Sequence, residues 1–381
     1  MRTAAFGLLA LSTWLGACRS VRPRVPAPSA IAEPLSVVDL PGEERPTGIQ
    51  VFGAHGFAVS HRQGSEGGLR FRTLRGEPGA RPDGGPETYD GGEGVALSPD
   101  GAHLAVAQYD RVQIVPRAGG APRLLTLRGA SSREYCGAPW DLVWGRPGAQ
   151  GTLALRCALG RPIALVQVDT GRLTFPALDA DTLGASSTVR DLALSRDGDT
   201  LVLVGETTRY EDNSTTAWVE LRALSDGRPP RRFTLSRSFG DAALSPDNTR
   251  LAVSSPYWGL QILEVASGRV TAEFSDPPTQ DNAGSGDVVW SPDGALLYRV
   301  GRRLGIAVHD GATAQLRGYF PAHARDATDG GAAGSASRAE HNGDLALSPD
   351  GRYLFALSRE DIGPGRARAV HIWQLPARAP R

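Results

Sequence analysis

One phrase returns along this chain at nearly constant spacing, and the repetition limits the possible folds more than any other feature of the sequence. It reads VALSPDGAHLAV at Val95 to Val106, DLALSRDGDTLVLV at Asp191 to Val204, and DAALSPDNTRLAV at Asp241 to Val253. It returns as DVVWSPDGALLY at Asp287 to Tyr298 and DLALSPDGRYLFAL at Asp344 to Leu357. A degenerate copy, DLVWGRPGAQGTLAL, occupies Asp141 to Leu155, and a faint first copy, GIQVFGAHGFAV, runs from Gly48 to Val59. Counted at the serine or its equivalent, the copies fall at 52, 98, 145, 195, 245, 291 and 348, with gaps of 46, 47, 50, 50, 46 and 57 residues.

A period of about 40–50 residues is that of β-propeller blades. Each unit holds an apolar strand, a tight turn, a second apolar strand and a third such as Leu260 to Val265; most add a fourth such as Val270 to Phe274. Pro-Asp-Gly suits the turn, because Pro presets φ, Asp bonds back to the backbone and Gly accepts positive φ. The first strand is apolar on both faces, as a strand packed between neighbouring blades must be. Nothing has helical period, so the sequence predicts an all-β, seven-bladed β-propeller over 35–381; six blades is the alternative, should the faint first copy fail. The last copy supplies only three strands, so Leu35 to Leu40 (LSVVDL) is expected to close the last blade from the N-terminal side. These units resemble the WD-like propeller repeats of bacterial exported proteins, in which a Ser-Pro-Asp-Gly turn joins the first two strands. That resemblance speaks for the fold and is nearly silent on function.

The N-terminus carries a second signal. Arg2 precedes an uncharged apolar run from Ala4 to Leu15, the layout of an export signal and too short to span a bilayer. Leu15-Gly16-Ala17-Cys18 resembles the lipobox of bacterial lipoproteins. The resemblance implies a signal peptide over 1–17, cleavage before Cys18 and acylation there; an ordinary signal peptide with a chance cysteine is the alternative. Residues 18–34, rich in Arg, Pro, Ala, Ser and Val, read as a flexible tether. Arg19 after the cysteine, where Asp is lacking, implies anchorage at the outer membrane of a Gram-negative envelope. Contact with the membrane is expected through the lipid alone.

Composition narrows the function. Formal net charge is zero with pI near 7.1, which argues against a nucleic-acid surface. All 41 basic residues are arginine, so chemistry based on a lysine amine is excluded. No GxSxG elbow, HExxH, CxxC or phosphate loop occurs, and the seven histidines are scattered. With Cys18 acylated, Cys136 and Cys157 remain as an even pair in an oxidising compartment. A Cys136–Cys157 bridge is expected; two separate buried thiols are the alternative.

Two groups of residues are candidate sites. Asp141, Asp191, Asp241, Asp287 and Asp344 each stand four residues before the serine position, so they occupy one structural place at the start of the innermost strand in five blades. They either accept backbone N–H bonds and join blades, or form a carboxylate collar at one channel mouth that holds Ca²⁺ or a cationic group. Carboxylates that close repel, so each needs a partner, whether amide, arginine or ion. The second group follows from loop length. The longer connections are Glu77 to Gly92, Arg128 to Trp140, Glu206 to Thr216, Asp276 to Gly286, Pro321 to Gly343 and Arg359 to Arg368. All are read as joining strand four to the next strand one, or strand two to three, which places them on one face. That face collects Tyr89, Tyr135, Trp140, Tyr210, Tyr257 and Trp258, the mixture that binding surfaces use.

The leading reading is therefore a non-enzymatic envelope lipoprotein with no cofactor, binding a protein, peptide or glycan through its long-loop face. It is similar in kind to the propellers of the periplasmic Tol system and of outer-membrane assembly, without the extra domain of the first or the tryptophan-docking signature of the second. The alternative is a propeller enzyme, a lactonase or metal-dependent hydrolase, with its acids at the channel mouth.

Overall fold

A computed structural model describes residues 34–376, apart from 41–44, 53–55, 64–65, 80–87, 91–93, 99, 132–133, 146–150, 177–184, 196–197, 225–228, 238, 256–258, 276–286, 302–304, 321–344, 349 and 359–367. Cys18 and the tether, Tyr257, Trp258 and Asp344 lie outside the described residues, as do the side chains of Tyr89 and Trp140.

Among the described residues the regular structure is β-strand, gathered into seven four-stranded antiparallel sheets. The innermost strands are Arg45–Phe52, Val95–Leu97, Cys136–Gly145, Ala185–Leu194, Asp241–Leu244, Val288–Trp290 and Leu345–Leu347, for blades one to seven. Each touches the innermost strand of the next blade, and the seventh touches the first, so the ring is closed.

The repeated phrase explains this packing residue by residue. In blade four the second strand reads Leu201-Val202-Leu203-Val204, and successive side chains point to opposite faces. Leu201 and Leu203 pack on Ala154 and Ile163 of blade three. Val202 and Val204 pack on Ala242 and Val253 of blade five. The same division holds in blade seven, where Leu354 and Ala356 face blade six while Phe355 and Leu357 face blade one. A strand apolar at every position is what a blade with two buried faces requires. Seven apolar clusters result, one in each seam between neighbours.

The conserved phrasing of the turn has an equally local cause. Ser98 Oγ donates to Asp100 Oδ1 (2.6 Å) and accepts the N–H of His103 (2.9 Å). Ser291–Asp293 and Ser348–Asp350 repeat the pattern at the same 2.6 Å. Gly101, Gly294 and Gly351 take φ of 68°, 65° and 68°, and Asn248 fills the same place in blade five at 57°. The buried hydroxyl thus satisfies a backbone donor that the tight turn leaves over.

Blade seven is completed as the sequence predicts. Ser36–Leu40 pairs antiparallel with Arg368–Gln374, with Ser36 opposite Ile372 and Leu40 opposite Arg368. Val38 and Leu40 enter the seam with blade one, where the Phe57 and Phe355 rings lie 5.6 Å apart between centroids.

One loop assignment is corrected. The stretch from Glu77 to Gly92 is interrupted by the outer strand of blade one, Thr88–Asp90. Its larger part therefore joins the third and fourth strands of blade one and not one blade to the next. Just before it, Ser36 Oγ donates to Leu74 O (2.8 Å), so the end of the third strand backs the closing strand. The closure yields a test. A chain starting at residue 35 should melt with the full-length protein, whereas one starting at 41 should lose the edge pairing, melt well below it and aggregate. Equal melting of the two in differential scanning calorimetry would show that the strand does not hold the ring.

Candidate functional site

Of the five aspartates, the four described fall at one place on the inner strands, but that place is not uniformly the strand start. Asp241 opens its strand and Asp287 precedes one, whereas Asp141 and Asp191 stand in mid-strand. In those two blades a bulge, between Pro139 and Asp141 and between Val189 and Asp191, lets the inner strand continue past the aspartate. Blade one has the same bulge between Pro46 and Gly48, with glycine in the aspartate place. Blade two also carries glycine there, Gly94.

The carboxylates act across the seams. Asp191 Oδ2 accepts the N–H of Ala242 in blade five (2.7 Å), and Asp241 Oδ2 accepts the N–H of Val288 in blade six (2.5 Å). Each stitch thus runs from one blade to the residue just after the next blade's aspartate. Asp141 lies 3.9 Å from Arg156, its neighbour across the strand pair. The partners that crowded carboxylates require are here backbone amides and an arginine. Among the described residues, no group of three or more His, Cys, Asp or Glu is arranged to hold a metal.

Asp191 and Asp241 also converge. The Ala242 N–H is shared between Asp191 Oδ2 and Asp241 Oδ1 (2.9 Å), and one N–H cannot separate two negative carboxylates. Burial pushes the Asp241 carboxyl well above its usual range; the charges of Asp191 and Asp287 add to the shift. A proton held there turns the repulsion into a hydrogen bond between the two side chains.

The long-loop end is organised by blades three and four. Cys136 and Cys157 form a disulfide with Cα atoms 5.2 Å apart, within the usual span. The bridge ties the first residue of the inner strand to the second strand, beyond the bulge. In blade four, what the sequence suggests as a loop, Glu206 to Thr216, is largely hairpin. Thr200–Arg209 pairs with Thr215–Ala223 as far out as Thr208 opposite Thr215. The β-branched threonines favour this extension, and Ser187 with Thr207 (2.7 Å) and Thr208 with Thr215 (3.1 Å) bond side chain to side chain along it. Likewise, Cys136 to Trp140, read as part of a loop, belongs to the inner strand of blade three.

The predicted aromatic face is only partly assembled. Tyr210 stands at the blade-four hairpin tip, 66% exposed. Tyr135 is half-buried beside the disulfide, its carbonyl accepting the N–H of Arg161 (2.9 Å). Tyr89 lies on the outer strand of blade one and not in a connection, while Trp140 stands within an inner strand. Tyr109, passed over by the sequence argument, is 59% exposed at the corresponding hairpin of blade two. Its signal was a tyrosine beside Asp110 between two apolar runs.

The sequence reading also missed a buried charge knot in blade four. Glu220, fully buried, accepts from Arg222 Nε (2.5 Å) and from Arg232 Nη2 (2.6 Å). Arg232 in turn lies 4.3 Å over the Trp218 ring. With both oxygens of the acid satisfied, this knot closes off the outer part of the blade and offers no open site.

Fold and face together define a seven-bladed propeller with an elaborated long-loop end. No model of a protein family matches the chain, and none of the curated proteins does. Among solved structures the likeness is widespread, with 1275 matching chains. One of them, from hydrazine synthase of Kuenenia stuttgartiensis, has a TM-score of 0.57 and 16% identity, over 88% of this chain and 97% of that one. At that identity the likeness is one of fold alone.

Two tests follow. With Asp241 titrating above the ordinary value of 3.8, the folded state holds a proton that the unfolded chain releases. Its contribution is full below about pH 4 and is lost as pH rises through the folded value. Asp241→Asn should therefore flatten the decline in melting temperature between pH 4 and 8 and equal or exceed the wild type at the upper end. A steeper decline in the variant would contradict the shared proton. For the disulfide, Cys136→Ala with Cys157→Ala should cost about 3 kcal/mol on the chain-entropy estimate, read by urea denaturation; an unchanged midpoint would remove its stabilising role.

Proposed function

We propose that this protein is a non-enzymatic lipoprotein of the bacterial envelope that binds a protein, peptide or glycan through the long-loop end of its propeller. The observation that carries the reading is the unequal use of the two faces. On the tight-turn face, the buried serine, the aspartate and a positive-φ residue are occupied in holding the turns of blades two, five, six and seven. On the other face, blades three and four continue past their bulges, a disulfide stiffens the first of them, and Tyr109 and Tyr210 present exposed rings at hairpin tips. Rigid strands carrying exposed aromatics lose little entropy on binding, the usual design of a recognition surface. Commitment of Asp191 and Asp241 to backbone amides favours a structural role for the channel acids over a catalytic one. Anchorage at the membrane rests on the Leu15-Gly16-Ala17-Cys18 sequence, which supplies a site for acyl chains.

A photo-crosslinking amino acid placed at 109 or 210 should give a discrete, saturable adduct in the intact envelope. The same group at Ala102 or Ala312, exposed at tight-turn positions, should give none. In the same cells, Cys18→Ala should abolish acyl labelling and release the chain from the membrane fraction. Adducts at 102 and 312 alone would assign the binding to the opposite face; salt-resistant attachment of the variant would refute the anchor.

A further inference from the structure

The blade-four hairpin tip carries a signal that the binding reading leaves unused. The chain has four asparagines, at 213, 248, 282 and 342. Only Asn213 is followed two places on by a hydroxyl residue, in Asn213-Ser214-Thr215, with no proline between. That is the acceptor pattern for N-linked glycosylation. Glu211, two residues earlier, adds the carboxylate that the bacterial form of the pattern requires.

The fold presents this segment as an acceptor must be presented. Residues 209–216 are all exposed. The N–H of Arg209 bonds Ser214 O (2.9 Å), closing a short turn, and Asp212 Oδ1 accepts the N–H of Ser214 (2.9 Å). Asn213 sits at the apex with φ of 56°. Strand pairing continues from Val189 opposite Gly205 to Ala185 opposite Arg209. Those four steps carry the tip about 13 Å past the bulge. The corresponding hairpin of blade five ends at Ser255 opposite Gly259, immediately beyond its aspartate level. A membrane-bound transferase therefore meets this apex without meeting the neighbouring hairpin of blade five.

Turn geometry by itself explains less of the pattern. Asn248 takes the same left-handed conformation in its own turn, φ 57°, yet is followed two places on by Arg250. The turn thus asks for asparagine or glycine at the apex and makes no demand for a hydroxyl two residues later.

We propose that Asn213 is the acceptor of an N-linked oligosaccharide, delivered from a lipid-pyrophosphate-linked donor by an oligosaccharyltransferase. In that step the carboxamide nitrogen attacks the anomeric carbon. The new C–N bond replaces the C–O bond to pyrophosphate, which leaves with the bonding electrons. One amide proton goes to base, and nothing is oxidised or reduced. The proposal rests on export, because donor and transferase face the extracytoplasmic side.

The test is the full chain, produced with its own leader in a bacterium carrying such a transferase and its lipid-linked oligosaccharide. Trypsin cuts after Arg209 and Arg222, so the site lies in one peptide, 210–222. That peptide should gain the mass of one oligosaccharide, lost on enzymatic amide hydrolysis with aspartate left at 213. Asn213→Gln and Thr215→Val should both abolish the gain, while Thr215→Ser should keep it at lower occupancy. Thr215→Val retains β-propensity and the apex asparagine, so folding and acceptor function separate. Leader cleavage and acyl labelling of the same sample report export independently. A chain that stays inside is re-expressed behind a standard secretory leader replacing 1–17. An exported chain whose 210–222 peptide stays unmodified, or a modification that survives Thr215→Val, overturns the proposal.

Discussion

The pairing of residues 36–40 with 368–374 is the interaction on which the rest of the molecule leans. Every blade has a second strand whose side chains go alternately to the blade before and the blade after. An open row of such blades would leave two apolar faces in water, one carrying Phe57 and Val59, the other Phe355 and Leu357. Closure brings those faces together although Phe57 and Phe355 stand at opposite ends of the repeat array. Apolar packing supplies the driving force there, while the edge hydrogen bonds decide which strands meet. The closing strand serves both purposes, since Val38 and Leu40 enter the same cluster that its backbone pairs across.

Polar stitches then give the seams direction. Asp191 and Asp241 reach forward to amides of the following blade. Arginines do the corresponding work elsewhere in the seams: Arg123 donates to Val168 O (2.6 Å) and Arg231 to Ala266 O (2.7 Å). Arg250 lies over Trp290 and donates to Gly311 O (2.6 Å) and Gly294 O (3.0 Å). A planar guanidinium with several fixed donors can stack on a ring and bond two carbonyls at once, which a lysine ammonium cannot match. Hydrophobic contact between repeated blades is tolerant of sliding; hydrogen bonds to particular carbonyls and amides are not.

The same repetition separates the two ends of the ring. At the tight-turn end, the buried serine hydroxyls and paired aspartates fix both the length and the conformation of the turns in blades two, five, six and seven. Ser245 holds the Asp247 carboxyl down at about 2 through its hydrogen bond, a sign of how fully that group is engaged. Variation is free at the other end, where bulges in blades one, three and four carry the inner strands onward. A rigid ring with one elaborated end is a scaffold on which that end can differ without disturbing the core.

The sequence by itself determined what is written between near neighbours. The period-two apolar runs, the Ser-Pro-Asp-Gly turns and the missing fourth strand of the last repeat were enough for the propeller, its number of blades and its closure. The Cys136–Cys157 pair was legible because few cysteines were left to pair. Only the tertiary structure decided which side chains and strands meet. It brought Asp191 and Asp241 onto one N–H, wrapped Glu220 in two arginines and continued Glu206 to Thr216 as a hairpin. It also moved Tyr89 to an outer strand. Turn chemistry and strand alternation act within a few bonds of the residues that encode them. A shared N–H, a buried ion pair or an exposed ring depends on which strand arrives beside it, and that is fixed only when the blades form and pack.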